Sequence, residues 1–267
     1  MKKDIKMIAV DMDGTFLNKD MTYDKERFLQ LFSKMKEKEI QFVAASGNQF
    51  PQLQAYFREV ESEITYVAEN GAYVIEKGKE LYSADMGKKV AKQAILSLTA
   101  YSGNPFVICG KKSGYVHEDI DDTYFEMFKK YYRKLVKIDD FNKINDVIFK
   151  FATTFHEEEV PKVMDYLTGE MNGHLSPVSS GYGFVDLIQP GIHKGRAIKQ
   201  LQEKWNLSVN QCVAFGDSQN DTEMLKQVGH SFAMDNADEL VKKTAKNIIG
   251  NNNTESLMDV MEELIGN

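Results

Sequence analysis

A pair of carboxylates stands directly after the first apolar run of the chain. Asp11 and Asp13 follow residues 5–10 and precede Gly14. Two carboxylates at this spacing can face one crevice if the chain turns there, and glycine permits such a turn. The pattern suits a carboxylate nucleophile with a second acid beside it, because a divalent cation can reduce their mutual repulsion. The alternative interpretation is a solvated acidic turn that caps the next segment.

A second acidic group follows the apolar residues 213–215, near the other end of the chain. It contains Asp217 and Asp221 and precedes a helical pattern. Asp217 or Ser218 could simply cap that helix. Two acidic strand ends in one chain nevertheless favour a Mg²⁺ site, because Mg²⁺ prefers oxygen ligands in octahedral geometry. Asp11 and Asp217 would supply the charge, and a backbone carbonyl and waters would complete the coordination.

Two further positions carry groups that suit a phosphate. Lys194 begins a helical pattern and offers a cation to phosphate oxygens. Ser46 and Gly47 follow another apolar run and offer a hydroxyl and accessible backbone N–H groups. Each feature alone is more often a solvated or capping residue. Together they support a functional site, because four predicted strand ends each carry a group that suits phosphate or metal.

The elements that must position these residues alternate between strands and helices. Short apolar runs bounded by acidic, small or hydroxyl residues are typical of buried parallel strands. Strands that alternate with helices imply right-handed crossovers, and ligands then collect at the carboxyl ends of the strands. The sequence therefore predicts an α/β fold with a doubly wound parallel sheet. The predicted strands are residues 5–10, 42–45, 64–68, 212–215 and 231–234, and the predicted helices are 25–38, 194–205 and 220–228.

The middle of the chain has a different pattern. Residues 84–188 mix helical stretches with strand-like pieces and turns that contain glycine. We interpret this region as an inserted α+β domain, so that residues 1–83 and 189–267 form one core. Within the insertion we predict helices near 121–135 and 157–171 and strands at 106–109, 147–155 and 183–188.

Composition excludes several classes of protein. The 267 residues include 33 basic and 40 acidic side chains, a net charge of −7, which argues against duplex nucleic acid or an anionic membrane as a general partner. The two cysteines, Cys109 and Cys212, cannot form a disulfide framework or a cysteine-rich zinc site. The sequence has neither a signal-peptide pattern nor an apolar run of membrane-spanning length. We therefore expect a cytoplasmic protein.

Five motifs together resemble the haloacid dehalogenase superfamily of phosphohydrolases, and more specifically the bacterial sugar phosphatase branch of the Cof-type hydrolases. The resemblance extends over essentially the whole chain. It implies the same doubly wound core with a mobile α+β cap that covers the site. The motifs are residues 9–18, 45–49, 67–72, 190–194 and 216–221.

The resemblance assigns roles to the four acids. It implies that Asp11 is the nucleophile and that Asp13 is the acid/base. It also implies that Mg²⁺ is held by Asp11, by the main-chain carbonyl of Asp13 and by Asp217, with Asp221 supporting this shell.

The resemblance also assigns the phosphate-binding residues. Ser46, Gly47 and Lys194 are expected to hold the phosphoryl group, with Asn220 beside it. Many relatives have Thr-Gly-Arg where this chain has Ser-Gly-Asn48. Asn48 cannot carry the positive charge of that arginine, so a charged contact between such an arginine and the substrate is not carried over to this chain.

The leading hypothesis is a Mg²⁺-dependent phosphatase that acts on small phosphorylated metabolites, above all sugar phosphates, through an aspartyl-phosphate. A phosphosugar mutase would share the nucleophile but isomerise its substrate without releasing phosphate. A non-catalytic signalling module would accept phosphate on Asp11 and keep it, although such modules have about half this length. A binding protein dominated by its cap would show no metal-dependent chemistry.

Overall fold

The computed structural model describes residues 4–101 and 104–266. The predicted domains extend to residues 1–3, 102–103 and 267, which lie outside the described residues. The helices are α1 (Lys25–Glu37), α2 (Phe50–Tyr56), α3 (Lys88–Ala100), α4 (Asp122–Lys129), α5 (Val160–Met171), α6 (Lys194–Trp205), α7 (Thr222–Gln227), α8 (Glu239–Thr244) and α9 (Ser256–Ile265). Among the described residues, none of these is both long and apolar enough to cross a bilayer.

The strands form two sheets. The first contains β1 (Met7–Val10), β2 (Gln41–Ala45), β3 (Thr65–Ala68), β4 (Tyr73–Glu76), β5 (Lys79–Ser83), β12 (Cys212–Gly216), β13 (His230–Met234) and β14 (Asn247–Ile249). The second contains β6 (Phe106–Gly110), β7 (Gly114–His117), β8 (Leu135–Ile138), β9 (Ile148–Thr154), β10 (Ser176–Ser179) and β11 (Phe184–Ile188).

The first sheet has the order β14-β13-β12-β1-β2-β3-β4-β5. Its strands from β14 to β3 pair in parallel. The chain runs outward from β1 to β2 and β3 on one side, and returns later to β12 and β13 on the other side. The strand order therefore reverses at β1, and an open α/β sheet binds ligands at such a switch point. The predicted parallel α/β fold is confirmed.

Alternating side chains of β1 bury both faces of this sheet, because successive residues of a strand point to opposite sides. Ile8 and Val10 pack in a cluster with residues of α1 and α9. Met7 and Ala9 pack in a second cluster with residues of α6, α7 and α8. This double burial explains why the strand is an uninterrupted apolar run in the sequence.

Part of the first sheet was not predicted. The hairpin of β4 and β5 adds two antiparallel strands at one edge. Its outer strand, Lys79–Ser83, is mostly exposed and contains charged residues. It therefore lacks the apolar run that identifies a buried strand. The strand β14 and the helices α2, α3, α8 and α9 were also not predicted.

The second sheet has the order β10-β11-β9-β6-β7-β8, and its pairs are antiparallel except β7 with β8. Residues of α3 and α5 pack on one face and residues of α4 on the other. The predicted helix near 121–135 is wrong in its second half. The helix ends at Lys129, and Leu135–Ile138 is instead a strand that pairs with β7.

The two sheets meet through polar contacts that fix the second sheet above the carboxyl ends of the first. Gln49, before α2, donates from Nε2 to the carbonyl of Lys134 at 3.1 Å and accepts from its N–H at 3.3 Å. Gln219, after β12, accepts at 3.1 Å from the N–H of Ser179 in β10. A cavity therefore lies between the two parts.

Candidate active site

The carboxyl ends of three adjacent parallel strands bring the predicted residues together. Asp11 follows β1, Ser46 follows β2, and Asp217 follows β12. Since β1 pairs with both β2 and β12, these three side chains lie at one edge of the sheet. Asp11, Ser46 and Asp217 are each buried. This edge is the switch point of the sheet.

A cluster of carboxylates surrounds one ammonium group at this edge. Carboxylate oxygens of Asp11, Asp217 and Asp221 all lie within 4.8 Å of one another. Lys194 lies at the start of α6, and its Nζ donates to Asp11 Oδ1 at 2.5 Å and to Asp221 Oδ1 at 2.7 Å. The side chain of Lys194 is fully buried. The structure thus places an ammonium against the predicted nucleophile.

Neighbouring groups fix the orientation of Asp217. Thr15 donates from its hydroxyl to Asp217 Oδ1 at 2.8 Å, and the hydroxyl of Ser218 donates to Oδ2 at 3.2 Å. Gly14 has a φ of +77°, and a Cβ there would lie 2.4 Å from Asp217 Oδ2. Glycine at this position is required both by the backbone conformation and by the close approach of the carboxylate.

Asp221 is held by the backbone rather than by solvent. Its Oδ2 accepts from the N–H groups of Asp217 and Ser218 at 3.0 and 3.1 Å. Its Oδ1 accepts from Lys194. Because both oxygens are already bound, Asp221 tightens the turn after β12 and orients Lys194.

The charge balance of this cluster suits a divalent cation. Three carboxylates face one ammonium, which leaves two negative charges unbalanced when all groups are ionised. Burial and the neighbouring carboxylates raise the pKa of Asp11 well above its ordinary value. Burial, followed by the charge of Asp221, raises the pKa of Asp217 to about 7. Asp11 and Asp217 could hold a hard divalent cation, since such cations prefer oxygen ligands.

Asp13 lies beside this cluster and lines the same cavity. Its Oδ2 accepts from the side-chain amide of Asn48 at 2.6 Å. Its Oδ1 is buried and has no hydrogen-bond partner among the described residues. Burial raises the pKa of Asp13, and the hydrogen bond from Asn48 partly opposes that shift. Asp13 therefore presents one free carboxyl oxygen that retains a proton more readily than an exposed aspartate.

The phosphate-binding residues predicted from sequence lie around the same space. Ser46 accepts at its Oγ from the N–H of Asn48 at 3.0 Å, which leaves its hydroxyl proton available to a ligand. Gly47 approaches Asn70 closely, since a Cβ there would lie 3.2 Å from Asn70 Oδ1. Asn220 donates from Nδ2 to that same oxygen at 3.0 Å. All eight predicted site residues are therefore grouped at this edge of the sheet.

The second sheet supplies the opposite wall of the cavity. Lys150 of β9 donates from Nζ to Asp186 Oδ2 of β11 at 2.8 Å, and both are about 2% exposed. Asn70 donates to the same Asp186 oxygen at 2.6 Å and so joins the two parts of the chain. Tyr131 and Tyr182 also line the cavity. This wall offers charged, hydroxyl and aromatic groups to whatever occupies the space.

Four residues of this site were not assigned a role from the sequence. Asn48 was noted only for the charge it lacks, and Asn70 only as part of the motif at residues 67–72. Lys150 and Asp186 are isolated polar residues in apolar strands, which is the one sequence signal that could have identified them. Their pairing depends on strand register, since β9 and β11 are antiparallel neighbours.

A family model described as haloacid dehalogenase-like hydrolase matches residues 8–261. The chain is 40% identical over 261 residues to the 5-amino-6-(5-phospho-D-ribitylamino)uracil phosphatase YbjI of Escherichia coli (strain K12), covering 98% of this chain and 96% of that protein. It is 24% identical over 276 residues to the 5-amino-6-(5-phospho-D-ribitylamino)uracil phosphatase YitU of Bacillus subtilis (strain 168), covering 96% of this chain and 96% of that protein.

Among solved structures, SMU.1108c from Streptococcus mutans UA159 superimposes with a TM-score of 0.93. The two chains are 32% identical, and the match covers 97% of this chain and 98% of the other. Similarity therefore extends over both sheets and over the residues between them.

Proposed function

This chain belongs to the haloacid dehalogenase-like hydrolases and is a phosphomonoesterase, and we propose that it hydrolyses small phosphate monoesters with Mg²⁺ through a phosphorylated Asp11. The observation that carries this proposal is the cluster at the switch point. Asp11 lies against the buried ammonium of Lys194 and belongs to the group of acids that could hold a cation. It lines the same cavity as Asp13, whose Oδ1 has no partner among the described residues. Nucleophile, charge neutralisation and acid/base are thereby gathered at one point.

In the first step, a carboxylate oxygen of Asp11 attacks phosphorus, and the bond to the leaving alcohol breaks. Asp13 gives its proton to the leaving oxygen, which its raised pKa favours. Lys194 and the hydroxyl of Ser46 neutralise the phosphoryl oxygens. Mg²⁺, held by Asp11 and Asp217, would supply further positive charge at the same oxygens. Electrostatic positioning of this kind provides most of the catalysis in phosphoryl transfer.

In the second step, water hydrolyses the phosphorylated Asp11. Asp13, now ionised, takes a proton from that water as it attacks phosphorus. Inorganic phosphate leaves, and both carboxyl groups return to their starting states. A mutase would instead pass the phosphoryl group back to a sugar, and a signalling module would retain it, so release of free phosphate separates these alternatives.

The wall of the cavity contributed by the second sheet supports a hydroxylated leaving group. The buried pair of Lys150 and Asp186 can donate to and accept from hydroxyl groups, and Tyr131 and Tyr182 offer aromatic surface. Sugar phosphates fit this chemistry. The relative from Escherichia coli is named for an ester whose phosphate is carried by a ribityl chain, so that ester is the first to assay.

The second sheet would act as a cap that opens for entry of the substrate. The cavity has a volume of about 50 Å³. This volume is far below the roughly 300–1,000 Å³ that is typical of pockets that hold small ligands. We infer that residues 84–188 form this cap and that residues 1–83 and 189–267 form the catalytic core. The cytoplasmic location stays a prediction.

The test is a panel of phosphorylated metabolites with Mg²⁺, in which free phosphate is measured and kcat/KM is compared. The panel contains hexose phosphates, the phosphoribityl ester, pyridoxal phosphate and p-nitrophenyl phosphate. We expect Mg²⁺-dependent release of phosphate, fastest from the hydroxylated esters. Full turnover after treatment with EDTA, or isomerised sugar phosphate without free phosphate, would contradict the proposal.

A further inference from the structure

Asn48 is tied to the core at three points, although the reaction assigned above makes no use of it. Its backbone N–H donates to Ser46 Oγ at 3.0 Å, and its carbonyl accepts from the N–H of Glu69 at 3.2 Å. Its side-chain amide donates to Asp13 Oδ2 at 2.6 Å. The two backbone bonds fix the residue, so the amide is presented to Asp13 in a defined position.

The two oxygens of Asp13 consequently have different environments. Oδ2 is bound by Asn48, whereas Oδ1 is buried without a hydrogen-bond partner among the described residues. A buried polar atom without a partner is costly in a folded protein, and such atoms occur where a ligand completes the bonding. The cavity that Asp13 lines is the one that also contains Asp11 and Ser46. Oδ1 is thus the oxygen left for proton transfer.

We propose that Asn48 is a positioning residue that holds Asp13 through Oδ2 and thereby orients Oδ1 towards the leaving oxygen and, later, towards the attacking water. This proposal rests on the proposed function, since it presumes that Asp13 is the acid/base. A freely rotating carboxyl group would spend part of its time with neither oxygen aligned, and proton transfer depends on that alignment. The neutral amide does this without adding a charge to the site.

The proposal predicts a loss that depends on the leaving group. With hexose phosphate, Asn48→Ala should lower the single-turnover rate of Asp11 phosphorylation by about 10- to 100-fold, a part of what general acid catalysis supplies. With p-nitrophenyl phosphate, whose leaving group needs no proton, the same step should change less than about 3-fold. The affinity for inorganic phosphate should be unchanged, because the backbone bond to Ser46 remains.

A double-mutant cycle separates positioning from a structural role. In protein that already carries Asp13→Asn, the further change Asn48→Ala should alter the hexose phosphate rate less than about 2-fold, since coupled residues are not additive. Asn48→Leu, which is close in size and neutral but lacks the amide donor, should reproduce the selective loss even if the alanine variant folds poorly. Asn142→Ala removes a comparable amide-to-carboxylate bond, to Asp140 on the surface, and should leave all rates unchanged.

Different results overturn different parts of this account. Equal losses for both leaving groups, or full additivity with Asp13→Asn, would show that Asn48 does not act through Asp13 and would overturn its role alone. Wild-type hydrolysis of hexose phosphate by Asp13→Asn itself would refute the acid/base role of Asp13, and the role of Asn48 would fall with it.

Discussion

Replacing Asp217 by asparagine should stabilise the metal-free protein while removing its response to Mg²⁺. Asp217 is 6% exposed, and burial and the charge of Asp221 raise its pKa from 3.8 to about 7. The folded protein therefore binds this proton more tightly than the unfolded chain. The stabilisation that this proton provides is fully present below pH 3.8 and is lost as the pH rises through about 7.

The size of the stabilisation follows from the difference between the pKa of Asp217 in the folded and in the unfolded protein. A difference between 3.8 and about 7 corresponds to about 4 kcal/mol at most, at about 1.4 kcal/mol for each pH unit. Asparagine keeps an acceptor for the hydroxyl of Thr15 but carries no charge to be buried. We therefore expect Asp217→Asn to raise the free energy of unfolding by about 2–4 kcal/mol at pH 8 in EDTA, and to change it little at pH 4.

The assay is urea unfolding at several pH values from 4 to 8. Unfolding is monitored by the fluorescence of Trp205, the single tryptophan, which lies at the end of α6. Mg²⁺ should stabilise the wild type in proportion to RT ln(1 + [Mg²⁺]/Kd) and the variant much less. Asp235→Asn, an exposed acid that follows β13, is the matched control. A variant less stable than the wild type at pH 8 in EDTA would refute the reasoning.

Three further predictions follow from the site. Lys194→Met leaves Asp11 and Asp221 buried without their ammonium, so the free energy of unfolding near pH 7.5 should fall by about 3–5 kcal/mol and activity should be lost. An unchanged urea midpoint would contradict this. With p-nitrophenyl phosphate, Asp13→Asn should give a burst of nitrophenol followed by slow turnover, and with hexose phosphate it should give no burst. A wild-type steady-state rate would be inconsistent with the acid/base role of Asp13. Lys150→Met should raise KM for hexose phosphate about 10-fold or more and leave KM for p-nitrophenyl phosphate nearly unchanged. Equal changes in the two KM values would contradict recognition of substrate hydroxyl groups by this pair.

Much of the core could be predicted because its strands are buried on both faces. Such strands are short apolar runs, and each of the five that were predicted has a counterpart in the first sheet. The site followed from the same fact, since Asp11, Ser46 and Asp217 come directly after those runs. The edge hairpin of Tyr73–Glu76 and Lys79–Ser83 was missed because an exposed edge strand does not need apolar residues.

The contacts between distant parts of the chain could not be predicted from local pattern. The bond from Asn48 to Asp13 joins two strand ends, and the bond from Asn70 to Asp186 joins the two sheets. Both depend on side-chain orientations that are set by the packing of the whole structure. Likewise, the helix predicted near 121–135 continued past Lys129, because local pattern does not show that Leu135–Ile138 pairs with β7 as a strand.

The central claim, that Asp11 carries the phosphoryl group, is tested most directly by rapid-quench mass spectrometry. Protein is mixed with Mg²⁺ and hexose phosphate, quenched in acid within milliseconds, digested and analysed for the peptide that contains Asp11. We expect the mass of one phosphoryl group on that peptide in the wild type, and none in Asp11→Asn, which should also release no phosphate. Phosphate release by Asp11→Asn at the wild-type rate, or a wild-type peptide that is never phosphorylated during turnover, would contradict the account.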